Sequence, residues 1–487
     1  MNLASLLLRA AAATPDAVAL VDGSRGVTFA ELAADAAGRA GALAAAGLAP
    51  GDRVALLLGN DVDFVATFLG VLWAGAVAVP LNPVAPAPEL ARRLAAVRPG
   101  VVVATGAVEV PPGPWSRLPA EALRAATDGP RPAEAERDDA EPAVLLFTSG
   151  VAGAPRAAVL THGCLAANVG QVLDHPGLAV SAADTGIALL PFFHIFGLNV
   201  ALGVTLAAGA RVVLPGPFDP VGAAAAIREH GVTLVAGVPT MFAAWCGAAP
   251  EAVPADTFAT VRLAVSGAAE LPAPVAQAFT ARFGIPVHQG YGLTEASPVV
   301  STTAGGEPRP GSVGRPLAGV EVRIVEGGGT EAEPGDPGEI QVRGPNVFPG
   351  YWEDPEATAR VLVDGWLRTG DIGVCDPDGE LHLVDRAKDL VIVSGFNVYP
   401  AEVEEVLLAH PDVADAAVAG VPSARTGEAV AALVVPRAGR SPDPEALRRF
   451  VGERLARYKV PERVRIVDGL PRNEAGKLIR RELPDLC

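Results

Sequence analysis

The sequence predicts an α/β protein: a large N-terminal domain of several subdomains, built on mostly parallel sheets with flanking helices, followed by an α+β C-terminal domain. Short apolar runs of β-type residues begin at Arg53, Val101, Arg211, Thr233 and Arg262, and alanine-rich stretches of helical length separate them. Parallel strands need long crossover connections, so this alternation predicts sheets covered on both faces. With 487 residues, 50% of them hydrophobic, the chain is long enough for two or more domains.

The stretch from Phe64 to Leu81 carries no charge and is nearly long enough to span a bilayer. Gly70, Gly75 and Pro80 interrupt it, and the pattern is typical of a helix followed by a buried strand. We therefore expect no transmembrane segment here.

Three further stretches complete the predicted architecture. Residues Pro111 to Asp139 are rich in proline, alanine and charge, and predict a surface connection. From Gly311 to Asp385 the strands shorten and turns multiply, which predicts a smaller β-rich subdomain. Residues 387 to 487 alternate strand and helix again, as expected for a compact α+β unit.

Composition excludes some classes of function. The net charge of −17 argues against nucleic-acid binding, which requires a dense positive surface. The four cysteines are far apart and lack metal-type or redox spacing, so we expect a reducing, cytoplasmic setting. The first nine residues have too short an apolar core and no basic leader for a secretory signal.

Lysine is rare in this chain: only Lys388, Lys459 and Lys477 occur among 38 basic residues. Arginine supplies the other charges, so the remaining lysines are candidates for positions that need a compact ammonium instead of a broad guanidinium. Lys477 lies in a predicted Asn/Gly turn that would hold its ammonium out from the surface. For Lys459, a functional role and a plain surface position remain equally open.

The segment from Val144 to His162 has the features of a phosphate-binding loop. An apolar strand leads into Thr148, Ser149, Gly150 and Gly153, and a second apolar run follows. Glycines allow backbone N–H groups to approach an anion, and hydroxyls add further donors. The spacing of a Walker loop is absent, and an ordinary hairpin is the alternative.

Three further motifs stand in a fixed order after this loop: Gly290–Glu295, Leu367–Gly373 and Leu383–Pro400. Together with the loop and the Lys477 turn, they resemble the adenylate-forming superfamily of acyl-CoA synthetases, firefly luciferase and peptide-synthetase adenylation domains. The resemblance extends from Thr28 to Arg481.

The resemblance implies a two-step reaction that needs ATP, Mg²⁺ and CoA. An N-terminal domain of residues 1–385 would form an acyl-adenylate, and a mobile lid of residues 386–487 would rotate about a hinge near Lys388. One orientation would bring Lys477 to the active site for adenylation. The other would bring in the face around Gly395 for thioester formation, and domain closure of this kind can exchange catalytic groups between steps. A plain linker lysine is the alternative for Lys388.

The resemblance also implies roles for individual residues. The expected catalytic residues are Lys477, Thr294, Glu295 and His194, with Glu295 also the ligand of Mg²⁺. The expected nucleotide and cofactor contacts are Thr148, Ser149, Gly150, Gly153, Arg156, Gly267, Ala268, Tyr291, Asp371, Arg386 and Gly395. In this scheme Tyr291 lies against the adenine and Asp371 accepts hydrogen bonds from the ribose hydroxyls. A helix cap followed by a first-turn acid is the structural alternative for Thr294 and Glu295.

The chain departs from the family pattern in the phosphate loop. The family carries hydroxyls at the positions of Val151 and Ala152, lysine at Arg156 and glycine at Ala157. Two hydroxyl donors are lost, so we expect weaker positioning of pyrophosphate or a higher requirement for ATP.

The segment Pro191–Gly197 predicts the class of acid. Domains that activate α-amino acids place an aspartate near here, whereas this chain offers only apolar groups and His194, which resembles an aromatic gate. An ammonium buried without a counter-charge is costly, so a fatty or aryl acid without an α-amine is expected. The expected pocket wall comprises Leu198, Val238, Met241, Ser266, Gly267 and Ala268.

We therefore expect an AMP-forming acyl-CoA synthetase. One alternative is a ligase that loads an acyl carrier protein, and another is a catalytically silent regulator that binds nucleotide or acyl ligand. The length of the acid and the oligomeric state remain open.

Overall fold

The computed structural model of the protein describes residues 1–125, 131–148, 156–309, 311–327, 329–386, 391–471 and 482–486. Their strands form three sheets of 14, 7 and 5 strands. The strands in chain order are β1 (Val18–Asp22), β2 (Arg25–Thr28), β3 (Arg53–Leu57), β4 (Val77–Pro80), β5 (Val101–Ala104), β6 (Ser116–Pro119), β7 (Pro142–Thr148), β8 (Arg156–Thr161), β9 (Thr185–Ile187), β10 (Arg211–Leu214), β11 (Leu234–Gly237), β12 (Leu263–Ser266), β13 (Val287–Gly292), β14 (Val299–Thr302), β15 (Ser312–Pro316), β16 (Glu321–Val325), β17 (Gly338–Arg343), β18 (Gly350–Tyr351), β19 (Leu362–Val363), β20 (Trp366–Cys375), β21 (Leu381–Arg386), β22 (Val391–Val393), β23 (Phe396–Val398), β24 (Val413–Ser423), β25 (Gly427–Pro436) and β26 (Arg463–Ile466).

Helices cover the faces of these sheets. The α-helices in chain order are α1 (Leu3–Leu7), α2 (Ala10–Ala13), α3 (Phe29–Ala45), α4 (Val62–Trp73), α5 (Ala87–Val97), α6 (Ala120–Ala125), α7 (His162–Leu173), α8 (Thr205–Ala207), α9 (Pro220–His230), α10 (Pro239–Gly247), α11 (Ala273–Phe283), α12 (Pro355–Val361), α13 (Pro400–Leu408), α14 (Pro444–Gly452) and α15 (Leu483–Leu486). A π-helix spans Phe196–Val204, and 3₁₀ turns span Ala255–Phe258, Thr294–Ala296 and Arg457–Lys459.

The largest sheet is parallel in one half and antiparallel in the other. Strands β1, β10, β9, β11, β12 and β13 are parallel neighbours in that order. From β13 the sheet continues antiparallel through β14, β15, β21, β20 and β17 to β16. The carboxyl ends of the parallel strands share one edge, which is where open α/β sheets usually bind ligands. The antiparallel half is the β-rich region expected between Gly311 and Asp385.

The seven-stranded sheet confirms the reading of the uncharged stretch. Its order is β18-β8-β7-β4-β3-β5-β6, and helix α4 leads directly to strand β4 at its centre. Asp61 caps α4 by accepting a hydrogen bond from Phe64 N, and every residue from Val62 to Leu72 is buried. None of the described helices combines the length and the apolar run needed to cross a bilayer.

The predicted surface connection from Pro111 to Asp139 is mostly exposed where the structure describes it, but it contains a strand that was not predicted. Strand β6 pairs with β5 at the edge of the seven-stranded sheet, and α6 follows at once. Pro119 ends β6 on an edge, where a missing N–H donor costs the sheet little. Edge position explains why this strand lacks the apolar pattern of a central strand.

The five-stranded sheet lies entirely after residue 390. It has the order β23-β22-β25-β24, and β26 pairs with β25. Its core is a separate apolar cluster that contains Val403 and Leu407 from α13 and Leu447 and Val451 from α14. The expected division at residues 385 and 386 stays a prediction, and Lys388 lies outside the described residues.

Candidate active site

A cavity of about 1470 Å³ opens at the carboxyl ends of β9, β11, β12 and β13. It gathers side chains from motifs that are far apart in the sequence. The predicted site residues that line it are Thr148, His194, Gly267, Ala268, Tyr291, Thr294, Glu295, Asp371 and Gly395. The structure therefore brings most of the predicted site together in one space.

Tyr291 and Asp371 form the polar pair on one wall. The Tyr291 hydroxyl donates a 2.7 Å hydrogen bond to Asp371 Oδ2, which joins β13 to β20. Register between β20 and β21 sets Arg386 opposite Asp371. The residue predicted to lie against the adenine thus bonds directly to the residue predicted to bind the ribose.

Glu295 lies in the 3₁₀ turn that follows β13. Its carboxylate accepts a 2.7 Å hydrogen bond from the Tyr351 hydroxyl, and its carbonyl accepts one from Phe348 N at 2.8 Å. Burial first, and then the charge of Glu295, raises the pKa of the Tyr351 hydroxyl, which therefore stays protonated and remains a donor. These bonds fix the direction of the carboxylate. Tyr351 was not predicted, because nothing in the sequence signals its pairing with Glu295.

The turn can form because Gly292 has no side chain. A Cβ at this position would lie 2.0 Å from the Pro298 carbonyl oxygen, which no real side chain tolerates. The chain therefore folds back tightly from β13 through Thr294 to Pro298. This close approach presents Thr294 and Glu295 to the cavity instead of continuing the strand.

No group of three or more His, Cys, Asp or Glu side chains could hold a metal ion within the described part of the chain. A lone carboxylate suits Mg²⁺, because this ion usually keeps several waters and binds through one or two carboxylates and substrate phosphates. Glu295 on the cavity wall fits that pattern.

The phosphate loop is described only at its two ends. Thr148 ends β7 and pairs with Arg156 at the start of β8. Arg156 does not line the cavity, because its guanidinium is bonded to Asp354 at 2.9 Å. Ser149, Gly150, Gly153, the departures at Val151 and Ala152, and Lys477 lie outside the described residues.

His194 stands at the centre of an aromatic group. Its ring centroid is 4.9 Å from that of Phe193 and 5.1 Å from that of Phe396. Burial, and then the positive charges of Arg93 and Lys459, lowers the pKa of His194 to about 4. The imidazole is therefore neutral at pH 7, and its buried Nε2 has no hydrogen-bond partner among the described residues.

Asn60, which the sequence did not indicate, fixes the segment that carries His194. Its amide donates to the carbonyl of Leu190 at 2.7 Å and accepts from Phe192 N at 3.0 Å. One side chain thus holds both sides of Pro191. A residue just before α4 therefore holds this segment in place, although the chain connects the segment directly only to β9 and the π-helix.

Gly395 brings the five-stranded sheet to the cavity. Its φ is +83°, and a Cβ would lie 2.5 Å from Val238 Cγ1. Both facts require glycine. Phe396 follows directly and packs on His194, so the C-terminal part of the chain closes one wall.

Two expected pocket residues are not on the wall. Leu198 packs in the main hydrophobic core, because the π-helix turns Val200 and Ala201 to the cavity instead. Ser266 is not on the wall, although its chain neighbours Val265 and Gly267 are. Successive residues of an extended chain point to opposite faces, which explains the difference. The buried hydroxyl of Ser266 has no partner in the described part of the chain.

Comparison with known proteins decides the family. Residues 7–352 match the family described as AMP-binding enzyme, and residues 402–477 match the AMP-binding enzyme C-terminal domain. The chain belongs to the AMP-binding enzymes.

Named relatives of this AMP-binding enzyme align with it over nearly their whole length. A feruloyl-CoA synthase of an Amycolatopsis species is 40% identical over 99% of this chain and 98% of its own. A long-chain-fatty-acid–CoA ligase of Bacillus subtilis is 34% identical over 99% and 94%. The structure of an o-succinylbenzoate CoA synthetase from Bacillus subtilis, with a bound product analogue, has a TM-score of 0.89 at 32% identity and covers 99% of this chain and 98% of its own. The expected enzyme class, an AMP-forming acid–thiol ligase, is confirmed.

Proposed function

We propose that the enzyme activates a hydrophobic carboxylic acid without an α-amine, fatty or aryl, and transfers its acyl group to CoA. The observation that carries this proposal is the single cavity, which is lined by polar residues suited to a nucleotide, by an apolar wall, and by Gly395 of the C-terminal part. One space of this kind can hold the acid, the nucleotide and the incoming thiol together.

The apolar wall supports the class of acid. It is formed by side chains from the π-helix, β11, β12 and the segment before β9: Leu178, Val180, Val200, Ala201, Val204, Leu234, Leu263 and Val265. Carboxylates do line the cavity, but none of them belongs to the π-helix, β11 or β12. These three elements would therefore offer an α-ammonium no counter-charge.

In the first step a carboxylate oxygen of the acid would attack the α-phosphorus of ATP, and pyrophosphate would leave. Thr294 would donate to the α-phosphate, Thr148 would contact the outer phosphates, and Asp371 would accept from the ribose hydroxyls. Glu295 would hold Mg²⁺, which neutralises charge on the phosphates when bound. Lys477 would supply the cation that stabilises the charge developing between the acid and the α-phosphate.

In the second step the thiolate of CoA would attack the acyl carbonyl, and AMP would leave. The neutral His194, with Nε2 unpartnered by any described group, is suited to hydrogen-bond an oxygen of the acyl group without adding charge. Gly395 and Phe396 would border the entry of the thiol. The absence of a side chain at Gly395 keeps this border close to Val238.

A screen of pyrophosphate release over fatty, aryl and α-amino acids, with and without CoA, tests the proposal. We expect release with hydrophobic acids, and an acyl-CoA product by mass spectrometry only when CoA is present. Release that depends on α-amino acids would overturn the acid class. Adenylate formed without thioester until a carrier protein is added would overturn CoA as the acceptor, and no release with any acid would overturn catalysis.

We also propose a cytoplasmic location. Cys164, Cys246 and Cys375 are all free thiols in the structure. Free thiols suit a reducing compartment, where they are not driven into disulfides. Fractionation of the native host, followed by immunodetection, would test this proposal.

A further inference from the structure

A buried ionic cluster, of which Arg93 and Lys459 line the cavity, has no part in the mechanism described above. Lys459 Nζ donates 2.8 Å hydrogen bonds to both Glu89 Oε1 and Glu402 Oε1. The second oxygen of Glu89 accepts from Ala456 N at 2.7 Å, and Arg93 bonds Glu89 Oε1 at 2.7 Å. The side chains of Lys459 and Glu89 are each only 1% exposed.

The cluster joins two parts of the chain that are 370 residues apart. Glu89 and Arg93 belong to α5, which packs on the seven-stranded sheet. Glu402 belongs to α13, and Lys459 to the 3₁₀ turn that comes after α14. Glu402 and Lys459 thus both belong to the C-terminal part of the chain, whereas Glu89 belongs to the N-terminal part. Burial alone would raise the pKa of Glu89, but Arg93 and Lys459 hold it below its ordinary value, so the carboxylate is charged here.

Stability is a poor explanation for this cluster. The desolvation of buried charges offsets much of their attraction, so such pairs contribute little net stability. Breaking one pair by removing a single partner is costly, because the other charge stays buried without compensation. A pair of this kind favours one arrangement of two packed parts over other arrangements.

The same turn reaches the active site through a chain of rings. Tyr458 precedes Lys459 and stacks on Phe396, with ring centroids 4.4 Å apart. Phe396 in turn lies against His194. A shift of the turn would therefore move Phe396 and, with it, the neighbouring Gly395 that contacts Val238.

We propose that Lys459 is a positioning residue for the thioester-forming step, which it serves by pairing with Glu89 and so fixing Phe396 and Gly395 at the cavity. The inference rests on the proposed function, because it assigns the arrangement seen here to the second half-reaction. Lys459 contacts neither the acid nor the nucleotide in this scheme. It affects the reaction by holding Tyr458 and Phe396 in position.

The test separates the two half-reactions in the variants Lys459→Met and Glu89→Gln. Transfer from preformed adenylate to CoA should fall by about tenfold or more, a factor that corresponds to roughly 1.4 kcal/mol. Adenylate formation, measured as the pyrophosphate burst, should stay within about twofold or rise. The reason is that the arrangement for transfer, which competes with the one for adenylation, has lost the ion pair that stabilises it. The double variant should be little worse than either single variant, since the two residues act as one pair.

Matched controls distinguish positioning from general damage. Arg457→Met removes an exposed cation from the same turn, and Arg39→Met breaks a buried ion pair with Asp63 that involves no residue of the cluster. Both should leave the ratio of the two half-reaction rates unchanged. Equal loss of both half-reactions in Glu89→Gln, with an unchanged melting temperature, would overturn the proposal. A parent enzyme that forms no thioester with CoA would instead contradict the proposed function.

Discussion

The ammonium of Lys477 is the charge on which the proposed adenylation most depends. Its position in the sequence, in an Asn/Gly turn and among only three lysines, predicts this role. Lys477→Ala should lower the rate of adenylate formation by roughly two orders of magnitude or more, the scale seen when one such transition-state donor is lost. Thioester formation from preformed adenylate should survive. Equal losses in rapid-quench measurements of both steps would show that Lys477 is structural.

His162 makes stability depend on pH. Burial, with the positive charges of Arg137 and the N-terminus, lowers the pKa of His162 from 6.5 to about 4, while Nδ1 accepts a hydrogen bond from Leu3 N. Between these values the unfolded chain binds more protons, so the free energy of unfolding falls as pH falls from 6.5 towards 4.

The variant His162→Asn tests this dependence. Its amide oxygen can still accept from Leu3 N, but it cannot be protonated in this range. We expect urea unfolding at pH 7 and pH 5 to show a smaller loss of stability in the variant than in the parent. An identical loss in both proteins would assign the acid sensitivity to other groups, among them His194, whose pKa is also lowered to about 4.

At the level of elements, the turn between β22 and β23 meets the cavity through Gly395. Gly395→Ala should suppress CoA transfer, because the new Cβ would lie 2.5 Å from Val238 and the residue already has φ +83°. Adenylation should be retained, since Gly395 serves the second step in our proposal.

Gly379→Ala is the matched control for this prediction. Gly379 has φ +82°, yet a Cβ there would meet nothing within 4 Å. It therefore reproduces the backbone strain without the steric contact. The two variants should have similar melting temperatures and adenylation rates and should differ only in the rate of transfer to CoA. Equal transfer rates would show that strain, not contact with Val238, is the cause.

The elements that the sequence predicted are those with strong local signals. The runs beginning at Val101, Arg211 and Arg262 became central parallel strands, because apolar runs between turn signals have few other stable positions. Strand β6 was missed, since an edge strand need not be apolar. The π-helix at Phe196–Val204 was missed as well, because all its residues except Asn199 are apolar and so show no helical period.

At the scale of the molecule, the sequence motifs predicted which residues would line one cavity. They did not predict the residues that hold the walls of this cavity in place. Asn60 and Tyr351 act through partners distant in the chain, and Lys459 meets Glu89 370 residues away, so no local pattern could indicate these pairs. Motif residues are recognisable because substrate chemistry restricts their type, whereas a supporting pair depends only on the final packing.

The proposed rotation of the C-terminal part provides the last prediction. Both the thioester face around Gly395 and the adenylation residue Lys477 follow Lys388 in the chain, so one backbone pivot there could exchange them. Proline fixes φ near −65°, and Lys388→Pro should therefore restrict the pivot. Lys388→Ala removes the same charge but leaves the backbone free. We expect the proline variant to form adenylate in a normal burst and to transfer it slowly, while the alanine variant behaves like the parent in both steps. If burst and turnover fall together in the proline variant, or if alanine has the same effect, the rotation does not depend on backbone freedom at this residue.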